Sequence, residues 1–217
     1  MGKENSLSVG RLVLVPGLIT LGVTVLRLVG ELNHWSKPLF NASAGGGGAI
    51  VGIVWLVPVF GIYFALKLAS AGERPAGLGK AIAFAFLGLV LMVGAGALFG
   101  FSKFASAPML IGGSILFLAA FLVPLAGWPQ LTKALIAYGY WSRIPVAVVM
   151  YFALRGNWGT HYDSAPPGLP EMTFWAKYLV IGLVPQLLLW VAFTVIIGSL
   201  FGIAVVAITR RGTSAAA

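Results

Sequence analysis

Two polar segments contain both histidines of the chain and three of its five carboxylates. Residues 31–48 read ELNHWSKPLFNASAGGGG, and residues 155–173 read RGNWGTHYDSAPPGLPEMT. Imidazole titrates near neutral pH, so histidines and carboxylates brought together can bind zinc, iron or manganese, or act as a general base and acid. The candidates for such chemistry are Glu31, Asn33, His34, Asn157, His161 and Asp163.

The spacing of these residues is not specific to one chemistry. Neither histidine belongs to a tight metal-binding pair such as HExxH. His34, His161 and Asp163 are candidate metal ligands, and the alternative is that they cap and hydrogen-bond ordinary loops. In that case the two segments would still dock on each other as a rigid lid through Trp35, Trp158 and Tyr162. No residue is assigned as catalytic, and the cofactor stays unknown.

Arg143 is the most informative single residue because it falls near the centre of the apolar run AYGYWSRIPVAVVM. A charge at the centre of a membrane helix costs roughly 2.5–3.5 kcal/mol. Tyr140 is one helical turn away and offers a hydroxyl group or a ring. Several partners stay open: carbonyls freed by prolines, an inward-folded Glu31 or Asp163, a lipid phosphate, an anionic or quinone-like ligand, or another subunit.

The composition identifies the solvent that surrounds these residues. The 217-residue chain has 9% charged residues, against roughly 25% in soluble domains. It is 59% hydrophobic, with a mean hydropathy of +0.99. These values exclude an ordinary soluble domain and predict an integral membrane protein. The absence of cysteine also excludes disulfides, thiolate catalysis and cysteine-ligated clusters.

Six apolar runs are long enough to be membrane spans. They are Val9 to Gly30, Ala49 to Leu66, Lys80 to Gly100, Pro108 to Gly127, Lys133 to Leu154, and Phe174 to Ile208. As one straight helix, the last run would be about 52 Å long, well beyond the hydrocarbon thickness. We expect Pro185 to break it into an interfacial segment over 174–184 and a span over 186–208. The alternative is two short spans.

The predicted fold is all-α, a bundle of about six kinked transmembrane helices with an interfacial helix before the last span. Residues 1–217 form a single multi-pass domain with long outer segments at 31–48 and 155–173. Five runs contain a proline, which suits kinked helices around a polar pocket, although prolines are common in membrane helices generally. Glycine pairs at 96/100 and 198/202 predict close helix packing, either within the chain or between copies.

Positive charges set the expected orientation. The first of two sides collects Lys3, Arg11, Lys67, Arg74, Lys80, Lys133, Arg210 and Arg211, and the second collects Lys37, Lys103, Arg155 and Lys177. By the positive-inside rule, both termini are expected to be cytoplasmic, with a bacterial inner membrane as the expected location. Arg27 lies near the outer end of the first span, where it is expected to anchor at the head groups or to pair with Glu31. No nucleic-acid partner is expected.

No motif is specific enough to identify a family, so the functional hypothesis rests on residue chemistry. The leading hypothesis is a non-enzymatic subunit or binding protein whose outer segments and Arg143 contact a partner, lipid or quinone-like ligand. Another membrane subunit or a second copy of the chain are the alternative partners. A small anion-selective transporter or channel is the first alternative function. A membrane enzyme with a His/Asp site on the outer face is the second.

Overall fold

The computed structural model describes the backbone of residues 8–102 and 107–214. Within these ranges the chain is helical and contains no strand. The helices are α1 (Val9–Leu32), α2 (Leu56–Ser70), α3 (Leu78–Ser102), α4 (Ala107–Leu122), α5 (Pro129–Gly156), α6 (Phe174–Lys177) and α7 (Trp190–Ser214). Lys3 and Lys103 of the charge count lie outside the described residues, and the side chains of Arg210 and Arg211 are not described.

The length and apolar character of these helices confirm the predicted all-α membrane bundle. Five helical runs within the described part of the chain are long and apolar enough to cross a membrane. The fifth of these joins α6 to α7 over Phe174–Thr209, and α2 is a shorter apolar helix of 15 residues. The chain is therefore a multi-pass integral membrane protein.

The predicted start of the second span is seven residues earlier than the observed start of α2. It was expected at Ala49, but α2 begins at Leu56. The preceding residues form turns, in which Gly45, Gly46 and Gly48 have positive φ values of 72°, 59° and 80°. Glycine adopts this left-handed backbone at little steric cost and weakens a helix, so the chain turns at these residues. The irregular backbone continues through residues 49–55, which were predicted as the first turns of the span.

The last apolar run does not break at Pro185. Two π-helical segments, Tyr178–Leu183 and Pro185–Leu189, join α6 to α7 around Val184. A π turn bonds residues five apart and widens the helix, and such turns occur frequently at functional sites. The aromatic residues expected at the interface gather at the start of the run, where Tyr178 and Phe174 both pack against Tyr151 of α5.

Helix α7 packs against α2, α3 and α5 and forms the centre of the bundle. A Cβ added to Gly61 of α2 would lie only 2.5 Å from the Cα of Gly198, so these two backbones meet directly. A Cβ on Gly202 would lie 2.8 Å from the Cβ of Ala65. The pair at 198 and 202 therefore packs within the chain, whereas Gly96 and Gly100 face open space among the described atoms.

Candidate functional site

Glu31 joins the two outer segments. It lies in the last turn of α1 and is only 2% exposed. Its carboxylate accepts hydrogen bonds from Arg27 Nε at 2.8 Å, from the backbone N–H of His161 at 2.8 Å and from His161 Nδ1 at 2.6 Å. Ser164 also donates to the carbonyl of Ala42 at 3.0 Å. The segments 31–48 and 155–173 thus dock on each other at one end of the bundle.

Arg27 is part of this network, and its guanidinium binds groups of the protein. Its Nη2 donates to the carbonyl oxygens of Asn41 at 3.3 Å and Gly46 at 2.9 Å. The side chain is 12% exposed, and its ion pair with Glu31 has the i,i+4 spacing expected from the sequence. Arg27 therefore holds the glycine-rich loop against α1.

The hydrogen bonds of His161 assign its tautomer. Because the ionised Glu31 carboxylate only accepts, Nδ1 carries the proton and Nε2 keeps its lone pair. Burial lowers the pKa of His161 below its usual value; nearby Arg27 lowers it further, while Glu31 and Asp163 oppose the change. His161 is neutral at pH 7, and its ring lies 3.8 Å from that of Tyr162, centre to centre. Burial also raises the pKa of the Tyr162 hydroxyl.

Asp163 acts on its own loop. Its carboxylate accepts hydrogen bonds from the backbone N–H groups of Gly159 and Thr160 at 2.9 and 2.8 Å and from the Thr160 hydroxyl at 2.7 Å. His34 is exposed, with a positive φ of 51°. Over residues 8–102 and 107–214, no three His, Asp or Glu side chains converge as metal ligands. The three candidate metal ligands, His34, His161 and Asp163, therefore do not converge on one site.

The remaining predicted outer residues hold local structure. Asn33 donates to the Val29 carbonyl at 2.8 Å, and Asn157 ends α5 in a left-handed conformation with φ 48°. Trp35 and Trp158 are 47% and 37% exposed, so neither ring is enclosed between the docked segments. The contact between the segments instead runs through Glu31, His161 and Ser164.

Arg143 lies in α5 and is 4% exposed. Its Nη1 lies 3.5 Å from Gln186 Oε1, which is the outer limit for a hydrogen bond, and the guanidinium carbon lies 4.6 Å from the centre of the Trp190 ring. Its Nε is buried and has no hydrogen-bond partner among the described residues. Protein groups therefore satisfy this guanidinium only in part.

The contacts of Arg143 with Gln186 and Trp190 were not predicted from the sequence. Tyr140 was expected beside it, but Tyr140 packs edge-on against Phe121 of α4, with ring centres 6.3 Å apart. Gln186 of the second π-helical segment and Trp190, the first residue of α7, lie beside the guanidinium. Gln186 is the one amide side chain of the last apolar run and directly follows Pro185, a signal that could have identified it.

A cavity of about 590 Å³ connects Arg143 to the outer network. Its wall includes Arg143, Gln186 and Trp190, together with Arg27 and His161. The non-helical residues 45–49 also line it, which is where irregular backbone is tolerated within a membrane protein. No carboxylate is among the described lining residues.

The charges around the cavity do not balance. Arg27 is neutralised by Glu31, and His161 is neutral, so these three groups sum to zero. Arg143 adds one positive charge, and no carboxylate within the described part of the chain forms an ion pair with it. The cavity is chemically suited to a molecule that supplies an acceptor oxygen beside Arg143.

Comparison with known proteins finds no family model, no curated protein and no solved structure that matches this chain. The function is therefore argued from the chemistry of the cavity.

Proposed function

We propose that this chain is a non-enzymatic membrane protein that binds a lipid or quinone-like molecule in the cavity, with the polar group of that molecule at Arg143. The main support for this site is the buried Arg143 Nε, which has no hydrogen-bond partner among the described residues. A buried donor without a partner loses about 1–3 kcal/mol, and more when it belongs to a charged group. A ligand oxygen that binds the guanidinium from the cavity offsets part of this cost.

The surroundings of Arg143 support a ligand that dissolves in the membrane. The cavity falls within the roughly 300–1,000 Å³ of typical small-molecule sites, which combine apolar walls with a few placed polar groups. Here the polar groups near the guanidinium are the Gln186 amide and the face of Trp190. A ring face and an amide orient a polar head group while the apolar wall accommodates the rest of the molecule.

The burial of Arg143 also bears on the alternative partners. At 4% exposure, the side chain is inaccessible to a flat protein surface. A second subunit is therefore better suited to the exposed Trp35 and Trp158 rings of the outer segments than to Arg143. In the proposed orientation these rings lie outside a bacterial inner membrane, and both chain termini lie in the cytoplasm.

Native mass spectrometry of the protein purified from its own membranes tests the proposal. We expect a bound small molecule on the wild type and on Arg155→Gln, and none on Arg143→Gln. Arg155 is the matched control because it is an exposed arginine of the same helix. Equal retention by Arg143→Gln, or a wild type that carries no small molecule, would refute the proposed site.

The transporter alternative makes a different prediction. An anion path would use the same positive cavity, so reconstituted vesicles would show anion flux that Arg143→Gln abolishes. A binding protein conducts nothing in this assay. Anion flux above that of empty vesicles would show that the protein is a transporter or channel and that the proposed binding role is wrong.

A further inference from the structure

A second, apolar groove lies beside the Arg143 cavity. It has a volume of about 430 Å³ and runs between α4 and the π-helical region. Ile111 and Ile115 of α4 line one wall and are 61% and 60% exposed, and Leu179 lines the other and is 45% exposed. In a membrane bundle, such outward apolar side chains face hydrocarbon, so the groove faces the lipid chains.

The groove and the cavity are adjacent and share part of their walls. Phe99 of α3 and Val180 of the π-helical region line both. A ligand that occupied both would pass between these two side chains, from a lipid-facing surface towards a buried guanidinium. A molecule that fills both has one long apolar chain and a polar group at its inner end.

The charge at the inner end selects the polar group. The lining groups sum to one positive charge, carried by Arg143, so a singly charged anion neutralises the cavity. A neutral head group leaves the buried guanidinium uncompensated, and a lipid phosphate monoester brings about 1.5–2 negative charges. A carboxylate and a phosphodiester each carry one charge, and either one matches the planar guanidinium with two parallel hydrogen bonds. The single chain of the groove favours the carboxylate of a one-chain lipid over a two-chain phosphodiester.

From this geometry, and resting on the proposed function, we infer that the ligand is a long-chain fatty acid. Its carboxylate binds Arg143, and its single chain lies in the groove between α4 and the π-helical region. Entry is lateral, from the outer half of the bilayer. One groove accommodates one chain, which distinguishes this ligand from a two-chain phospholipid.

A photoreactive fatty acid with a diazirine in its chain tests the inference in nanodiscs that contain the full-length protein. We expect crosslinks within residues 110–115 and 176–184. Unlabelled oleate should compete at least about tenfold better than oleyl alcohol, because only oleate provides a charge-assisted partner for Arg143. Lysophosphatidate, a single-chain lipid with a phosphate head group, should compete less well than oleate.

Variants separate the two ends of the site. Arg143→Gln should weaken labelling about tenfold or more, while Arg143→Lys, which keeps the charge, should retain part of it. Ala176→Trp fills the groove and should reduce labelling. Val148→Trp, on the exposed face of α5, is the matched control and should leave labelling unchanged.

The outcomes distinguish this inference from the proposed function. Oleyl alcohol, a quinone or lysophosphatidate could compete as well as oleate, in a way that depends on Arg143. The identification of the ligand as a fatty acid would then be wrong, but the proposed binding site would be retained. The same holds if Ala176→Trp labels like the wild type. Labelling that is unchanged in both Arg143 variants overturns the inference and the proposed site together.

Discussion

Glu31 and His161 are 130 residues apart, yet one carboxylate accepts hydrogen bonds from both the backbone N–H and the ring Nδ1 of the histidine. With Arg27 as its third donor, Glu31 is fully satisfied although its side chain is inaccessible to solvent. This contact positions the outer segment 155–173 over the cavity. The outer wall of the proposed site thus depends on one buried acid.

Removing the charge of Glu31 should destabilise the protein. Glu31→Gln leaves Arg27 without its counter-ion, and breaking a buried ion pair in this way costs about 3–5 kcal/mol. We expect a clearly lower midpoint in thermal unfolding of the detergent-solubilised protein. Glu171→Gln, which neutralises an exposed acid of the same outer region, should leave the midpoint unchanged. An equal midpoint for the two variants would contradict the role given to Glu31.

Stability should also fall on acidification. Burial lowers the pKa of His161, so the unfolded chain binds this proton at a higher pH than the folded chain does. The contribution of the neutral ring is complete above about pH 6.5 and is lost as the pH falls towards the folded pKa. Arg27, Glu31 and Asp163 are the charged groups around the ring.

Thermal unfolding at pH 7.5 and 5.5 measures this effect. We expect His161→Gln to reduce the drop between the two pH values, while His34→Gln, at an exposed histidine, keeps the wild-type drop. A wild-type drop that persists in His161→Gln would show that another group is responsible.

The contact between α2 and α7 gives a packing prediction. Gly61→Ala places a Cβ 2.5 Å from the Cα of Gly198, and overpacking of this kind costs about 1–3 kcal/mol. Gly96→Ala adds the same methyl group where the described atoms leave open space, so it should be neutral or slightly stabilising. Comparison of the two thermal midpoints checks the prediction, which fails if Gly61→Ala is as stable as Gly96→Ala.

Single cysteines can determine the orientation, because the chain contains none. We expect Lys37→Cys and Glu171→Cys to react with a membrane-impermeant maleimide in intact cells. Arg74→Cys, in the short connection between α2 and α3, should react only after permeabilisation. The reverse pattern would invert the orientation, and opposite behaviour of Lys37→Cys and Glu171→Cys would contradict the docking of the outer segments.

The helices were largely predictable from the sequence, because the bilayer requires long apolar runs and this chain has few charges to interrupt them. The start of α2 was not, since residues 49–55 are apolar enough to resemble part of a span but form bends and turns. The continuity of the helix through Pro185 also escaped prediction. It depends on π turns, which tertiary packing selects and hydropathy does not reveal.

The candidate site was predictable in its central residue but not in its neighbours. A lone arginine in an apolar run is conspicuous because a charge inside a membrane helix is energetically costly, so Arg143 was predicted from the sequence. Helical spacing on α5 suggested Tyr140, but the groups found beside Arg143 are Gln186 of the π-helical region and Trp190 at the start of α7. Likewise, both histidines are in outer segments, and only the folded chain shows that His161 meets Glu31 while His34 is exposed.

In the proposed function, the charge of Arg143 is uncompensated until a ligand binds. The most direct measurement compares the thermal midpoints of delipidated wild type and Arg143→Gln, with and without added oleate. We predict that Arg143→Gln is the more stable protein without ligand, by up to about 2.5–3.5 kcal/mol, and that oleate stabilises only the wild type. If delipidated Arg143→Gln is less stable than the wild type and both respond equally to oleate, the protein already satisfies Arg143. The proposed binding of a ligand at Arg143 would then be wrong.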